Sequence, residues 1–203
     1  WLTITGQPRV LHVFDQACNL VNEQREVLPV VTPGIGNGPF NLVVEESIFF
    51  SEHIQAESPV SILANQLRVG DITITTTNAN CWSPCPDWDM LHHHRENITK
   101  QITPFIAPTS QIPSTFRSSL LAALAKGDIS VSKSIASQIA GAGIGLTPGG
   151  DDFLLGALYA IWIMHPLETA RHIANEVVDI AAPLTTSLSA AWLRSAGRGE
   201  AGI

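Results

Sequence analysis

The residues best placed to do chemistry stand together in one stretch, Gly141-Ala142-Gly143-Ile144-Gly145-Leu146-Thr147-Pro148-Gly149-Gly150-Asp151-Asp152. Five glycines in ten residues are followed at once by two carboxylates. A glycine costs about 0.5–1 kcal/mol wherever a regular element could have formed, so such a loop implies backbone N–H groups that must approach something closely. The apolar run Phe153–Met164 behind it marks a helix, and the unpaired N–H groups at a helix start favour an anion. The aspartates have two readings. An aspartate in the first turn caps the helix, worth about 1 kcal/mol. Alternatively, because neighbouring side chains on a helix diverge by about 100°, one caps while the other faces a cleft. A carboxylate facing a cleft accepts from a ligand NH2 group or holds Mg2+. Two adjacent aspartates behind a five-glycine loop favour the second reading. The stretch suits a small ligand with an anionic end and an amide end.

Familiar phosphate loops do not fit. A dinucleotide fingerprint needs G-x-G-x-x-G after a strand, and here G-x-G-x-G follows a helical pattern. The spacing of Gly145 and Gly150 matches a P-loop, but Asp151 and Asp152 stand where that loop needs lysine. A second glycine loop, Thr32-Pro33-Gly34-Ile35-Gly36-Asn37-Gly38-Pro39, joins two strand-like segments. By itself it reads as an irregular hairpin, and Gly36 enters a site only if this loop faces the first one. Thr185, Thr186, Ser187 and Ser189 open a helix; Thr185 and Ser189 are four apart, so both can hydrogen-bond one ligand. Cys81, Cys85, His92, His93 and His94 invite a zinc reading, but C-x3-C-x6-H-x-H fits no common zinc module, and no metal site is assigned.

These residues need a scaffold, and composition bounds it. The chain has 203 residues, 45% hydrophobic and 14% charged; the charged share is low against the roughly 25% of an average domain, which excludes a disordered chain. With 11 Lys+Arg, a net charge of -7 and no basic run, nucleic-acid and anionic-membrane binding are not expected. The longest apolar run, Phe153–Met164, is shorter than the roughly 20 residues of a membrane span, so it predicts a helix buried nearly all round. The opening WLTITGQPRV lacks the pattern of a signal peptide and lacks Met, which points to a piece of something longer. Three cysteines are an odd count and no disulfide framework, which suits a cytoplasmic setting. Five Trp and few charges predict apolar patches that self-associate or meet a partner subunit.

Along the chain, Val10–Phe14, Cys18–Val21, Val27–Val31, Phe40–Val44 and Asp71–Thr77 read as strands. The polar stretch 22–26 marks a hairpin, and Pro59–Leu67 reads as a short helical or irregular segment. Residues 81–113 are punctuated by Pro84, Pro86, Pro104, Pro108 and Pro113 and read as a connector with a packed surface loop. From Ser114 the periodicity is helical: one helix stopped by Gly127, a second opened by Asp128 or Ser130, then 151–164, one started by Pro166, and a last over 185–196. The expected class is α+β: a β domain over 1–80 (an antiparallel sheet or barrel-like half), a Pro-rich connector over 81–113 and a helical domain over 114–203.

The stretch GAGIGLTPGGDDFLLGAL closely resembles the G-x-G-x-G-L-T-P-[SG]-x-D-D-x-L-x-G signature of a bacterial family that includes the AllH-type subunit of the anaerobic oxamate carbamoyltransferase. Phe14–Leu20 followed by Gly34–Phe40 looks like that family's first strand pair and glycine turn. Thr185–Ser189, running to Leu193-Arg194 and Gly199-Glu200, looks like its following helix. The resemblance implies a β part followed by an α part, and work on purine-derived nitrogen within a multi-subunit assembly. The implied reaction interconverts oxalurate plus phosphate with oxamate plus carbamoyl phosphate, ligands with anionic and amide ends. It also implies a further helical segment and a second glycine-containing motif after residue 203.

Together these readings make Asp151 and Asp152 the catalytic candidates. Gly143, Gly145, Thr147, Gly149, Gly150, Thr185, Ser189 and Gly36 are the substrate-binding candidates. The expected function is a carbamoyltransferase-type subunit acting on a small anionic amide; the alternative is a non-catalytic metabolite-binding or scaffold subunit.

Overall fold

A β-strand shows alternate side chains to opposite faces, so a half-buried sheet needs one apolar face only. The computed structural model, which describes residues 7–102 and 112–202, follows that rule in its first part. Strands β1 (Arg9–Val13), β2 (Ala17–Val21) and β3 (Val27–Val31) pair antiparallel, and β4 (Leu42–Val43) runs parallel to β3. The β2–β3 hairpin is braced by Asn22, which accepts from the Glu26 N–H at 2.8 Å, while Arg25 turns the chain at φ 62°. After the single turn α1 (Phe50–His53), strands β5 (Val60–Leu63), β6 (Gln66–Val69) and β7 (Ile72–Thr75) form a second, antiparallel sheet. Cys18, Leu20, Val30, Phe50, Leu67 and Val69 share one core.

Three expectations are corrected here. Residues 59–67 are not helical or irregular: they contain β5, the turn and the start of β6. The turn stands on Ala64 at φ 47°, a conformation alanine seldom takes, so the sequence carries no glycine signal there. The segment 32–41 is not a hairpin loop, because it joins parallel neighbours, β3 and β4. Among the described residues the strands make two open sheets and no closed barrel.

The described residues through Pro84, with Gly202, make one compact unit, and Cys85–Ala201 make a second. The second unit is helical. Part of the Pro-rich connector is helical too: α2 (Trp88–His93), capped by the Asp87 carboxylate on the Met90 N–H at 2.9 Å, and α3 (Arg95–Ile102). Pro104 and Pro108 lie outside the described residues, as does the opening stretch 1–6. Trp88 is no surface-loop residue. Its ring stacks on Trp162 and Tyr159 at 5.9 and 6.2 Å, and its indole N–H donates to the Gly199 carbonyl at 2.6 Å.

Helix α4 (Ser114–Lys126) starts after Pro113, with no side-chain cap, and ends on Gly127 at φ 71°. Helix α5 (Ile129–Ile139) is capped by Asp128, which accepts from the Val131 N–H. Then come α6 (Gly149–Met164), α7 (Leu167–Ala181), a 3-10 turn (Ala182–Leu184) and α8 (Ser187–Gly197). On α7 the buried residues Ala170, Ile173, Ala174, Val177, Val178 and Ala181 recur at helical spacing and pack toward α5, α6 and α8. Helix α6 contributes Leu154, Leu158, Ile161 and Trp162 to the same core, each worth about 1.5–3 kcal/mol on burial. Its expected burial all round is corrected: Gly156 and Ala160 are exposed and Met164 is 49% exposed, because small residues leave one flank open. Among the described residues no helix is long and apolar enough to cross a membrane.

Candidate functional site

The glycine stretch links α5 to α6, and its two ends are tightly built. Ala142 N–H donates to Ile139 O at 3.0 Å, and Gly150 N–H donates to Ala142 O at 2.8 Å. A Cβ on Gly150 would stand 1.9 Å from Ile139 O, so this glycine answers to packing against the end of α5. Gly141 has φ 72°, and a Cβ there would meet Leu184 O at 2.7 Å. Two of the five glycines therefore serve the contact of one backbone with another.

The middle of the loop is different. Gly143 and Gly145 take φ 123° and 99°; both are exposed, and a Cβ on Gly145 would meet nothing within 4 Å. Ile144, between them, is 85% exposed. The N–H groups of Gly143, Ile144, Gly145, Leu146 and Thr147 donate to no protein acceptor among the described residues. That is a run of five free donors on a loop fixed at both ends. At the start of α6 the N–H groups of Asp151 and Asp152 already donate to Pro148 O, at 2.8 and 3.2 Å. Of the first four N–H groups of α6 only that of Gly149 has no acceptor among the described residues, so most of the free donors lie in the loop.

The two aspartates part company, and neither does so by capping: the α6 N-cap is Pro148, with no side-chain cap. Asp151 is buried. One carboxylate oxygen accepts the Gly141 N–H at 2.8 Å, and the other accepts the Thr185 hydroxyl. It ties the loop entrance to the chain ahead of α8. Asp152 is exposed. Partial desolvation and then the Asp151 charge push its carboxyl above the ordinary aspartate range, while a hydrogen bond from the Thr147 side chain pulls the other way.

Thr185 and Ser189 are both buried. The Thr185 hydroxyl goes to Asp151, and the Ser189 hydroxyl has no hydrogen-bond partner among the described residues. Thr186, between them, caps α8 by accepting the Ser189 N–H at 3.1 Å and donates to Leu146 O at 2.8 Å. This link from α8 to the loop was missed in the sequence because a threonine before a helix already has a capping explanation. The structure thus brings Gly143, Gly145, Thr147, Gly149, Gly150, Asp151, Asp152, Thr185 and Ser189 into one unit. Gly36 belongs to the other unit, at φ 85° in a loop braced by Asn41, which donates to Gly36 O at 3.0 Å and accepts the Gly38 N–H at 2.8 Å.

The histidine run is engaged locally. His92 Nδ1 donates to Ile163 O at 2.8 Å and His93 Nδ1 to Asp89 O at 2.7 Å. Among the described residues no three His, Cys, Asp or Glu side chains converge to hold a metal ion.

Two small sheets followed by a helical unit that presents a glycine loop and an Asp-Asp pair define the class: an α+β protein with a loop-built candidate site. Comparison with known families makes this specific. Residues 2–81 match the AllH family N-terminal domain, and residues 139–202 match the family described as oxamate carbamoyltransferase subunit AllH. The chain belongs to the AllH family. No curated protein and no solved structure matches it.

Proposed function

We propose that this chain is a subunit of a carbamoyltransferase acting on small anionic amides of the oxamate and oxalurate type, with carbamoyl phosphate or phosphate as the second ligand. The observation that carries the reading is the run of free N–H groups from Gly143 to Thr147 beside the exposed Asp152 carboxylate. Five donors suit a carboxylate or phosphate, and a carboxylate acceptor suits the NH2 group at the other end of such a ligand.

In this reading the loop N–H groups hold the anionic end and Asp152 orients the amide. Asp151 and Thr185 act through the loop by fixing its entrance. Among the described residues the Gly149 N–H at the start of α6 meets no protein acceptor, and Gly150 serves packing. In the carbamoylating direction the amide nitrogen forms a bond to the carbamoyl carbon, the carbon–oxygen bond to phosphate breaks with its electron pair going to the phosphate, and the one proton the nitrogen gives up leaves on that phosphate. Such a reaction needs alignment and stabilisation of developing negative charge, and a loop of oriented donors supplies both. The AllH description as a subunit supports a partner chain or self-association, and three unpaired cysteines suit the cytoplasm.

The test is turnover of oxamate with carbamoyl phosphate, measured on the chain alone and with candidate partner subunits, beside Asp152→Asn. Turnover that falls in Asp152→Asn supports the reading. Tight binding of oxamate or phosphate with no turnover in any combination replaces it with the metabolite-binding subunit. Neither binding nor turnover removes the loop from both.

A further inference from the structure

We propose that Thr186 is a positioning residue whose hydroxyl sets which way the Leu146–Thr147 peptide faces, and so holds the Thr147 N–H toward the ligand; this rests on the carbamoyltransferase reading above. A threonine hydroxyl has one proton to donate and lone pairs to accept with. In Thr186 both are used: the proton goes to Leu146 O at 2.8 Å and a lone pair takes the Ser189 N–H at 3.1 Å. The second bond is an ordinary helix cap. The first reaches 40 residues back to the glycine loop and has no capping purpose.

The consequence follows from peptide planarity. In a trans peptide the C=O and the following N–H point in opposite directions. With the Leu146 carbonyl drawn to Thr186, the Thr147 N–H is turned away from that hydroxyl, and it donates to no protein acceptor among the described residues. The side chain of the same residue acts on Asp152, pulling its carboxyl toward the ionised form. The Thr147 backbone donor and the Asp152 carboxylate therefore come from one short segment. The peptide would otherwise be free to flip: it turns about ψ of Leu146 and φ of Thr147, and on one side Leu146 lies in no helix or strand that would fix it. On the other side Pro148 restricts Thr147 but leaves the Leu146–Thr147 plane unset. Thr185 and Thr186 together pin the loop twice, at Gly141 through Asp151 and at Leu146 directly.

Capping and positioning separate by substitution. Aspartate is as good an N-cap as threonine or better, but an ionised carboxylate cannot donate. Thr186→Asp keeps the cap and loses the bond to Leu146 O; Thr186→Ser keeps both. In the full chain with its partner subunits, Thr186→Asp is expected to melt close to the unsubstituted protein. Its kcat/KM with oxamate and carbamoyl phosphate is expected to fall roughly 100-fold, the loss that follows removal of one oriented oxyanion donor. Thr186→Ser should restore most of it.

A second readout needs no activity. The amide NMR signals of Gly145, Leu146 and Thr147 should broaden or double in Thr186→Asp and stay single in Thr186→Ser. Unchanged signals in Thr186→Asp overturn the proposal, as does a loss of kcat/KM in Thr186→Ser as large as in Thr186→Asp. If the signals change as expected but the unsubstituted complex does not turn over these substrates, Thr186 still sets the peptide and the carbamoyltransferase reading fails.

Discussion

The Asp151 carboxylate accepts the Thr185 hydroxyl across 34 positions of sequence, and both groups are buried. With its other oxygen on the Gly141 N–H, this side chain closes a small polar knot under the glycine loop. The neighbouring Asp152 takes no part in the knot and stands exposed. Two adjacent carboxylates thus sit in different surroundings, one bonded within the fold and one exposed.

Asp151→Ala should therefore lower stability. It removes the acceptor from the buried Thr185 hydroxyl and the partly buried Gly141 N–H, and a buried donor left unsatisfied costs about 1–3 kcal/mol. The expected loss is about 2–4 kcal/mol in chemical denaturation of the whole chain. Asp151→Asn retains one acceptor and gains a donor that can meet the Thr185 oxygen, so it should lose less. Equal stability of Asp151→Ala and the unsubstituted protein is the outcome that sinks this account.

The glycines should divide in the same way. Gly150→Ala places a Cβ 1.9 Å from Ile139 O, so the start of α6 must move, and a loss of about 3 kcal/mol or more is expected from overpacking backbone. Gly145→Ala meets no atom within 4 Å and pays only the strain of a positive φ, about 1–3 kcal/mol. Its larger effect should fall on oxamate or phosphate binding, because the strained residue lies in the stretch that carries the free N–H groups. Thermal melting beside ligand titration checks both. A Gly150→Ala protein as stable as Gly145→Ala contradicts the packing role.

How much of this was legible beforehand follows from which forces leave a mark in sequence. The helix started by Pro166 and the Gly127 stop are written in a proline and a glycine, and both are found where the sequence puts them. The Asp-Asp loop stood out as well. What could not be read was which aspartate turns inward, since that depends on Thr185 and Gly141, residues brought there by tertiary packing. Likewise α2 was hidden among prolines, because its anchor is Trp88 on Trp162 and Tyr159, a contact with no local signature. The β5–β6 turn was hidden because Ala64 takes a glycine's conformation.

The cysteines give a test of the first unit's core. Burial pushes the Cys18 thiol up to about 11, whereas Cys81 and Cys85 are exposed. Only thiolate reacts at a useful rate, so Cys18 should resist alkylation at neutral pH until the sheet unfolds. Mass spectrometry should find two labels on the native chain and three after denaturation. Rapid native labelling of Cys18 contradicts its place in the β core.

The last prediction concerns Asp152 and pH. Desolvation and the neighbouring Asp151 charge hold its carboxyl above the ordinary aspartate range. In the folded state it therefore keeps a proton over a window where the unfolded chain has lost it. The native state binds more protons there, so stability falls as pH rises from the unfolded aspartate value through the raised folded one. Asp152→Asn removes the group and should flatten that slope. Function should run the other way, because an NH2 group needs the ionised carboxylate as acceptor. Turnover should weaken on acidification at a pH higher than an unperturbed aspartate would give. In Asp152→Asn at neutral pH turnover should drop about 100-fold, roughly 2.7 kcal/mol of lost transition-state binding, while melting stays near normal. Paired melting and kcat/KM profiles against pH decide the matter: an Asp152→Asn enzyme that turns over normally leaves this carboxylate a surface residue, whatever its pKa.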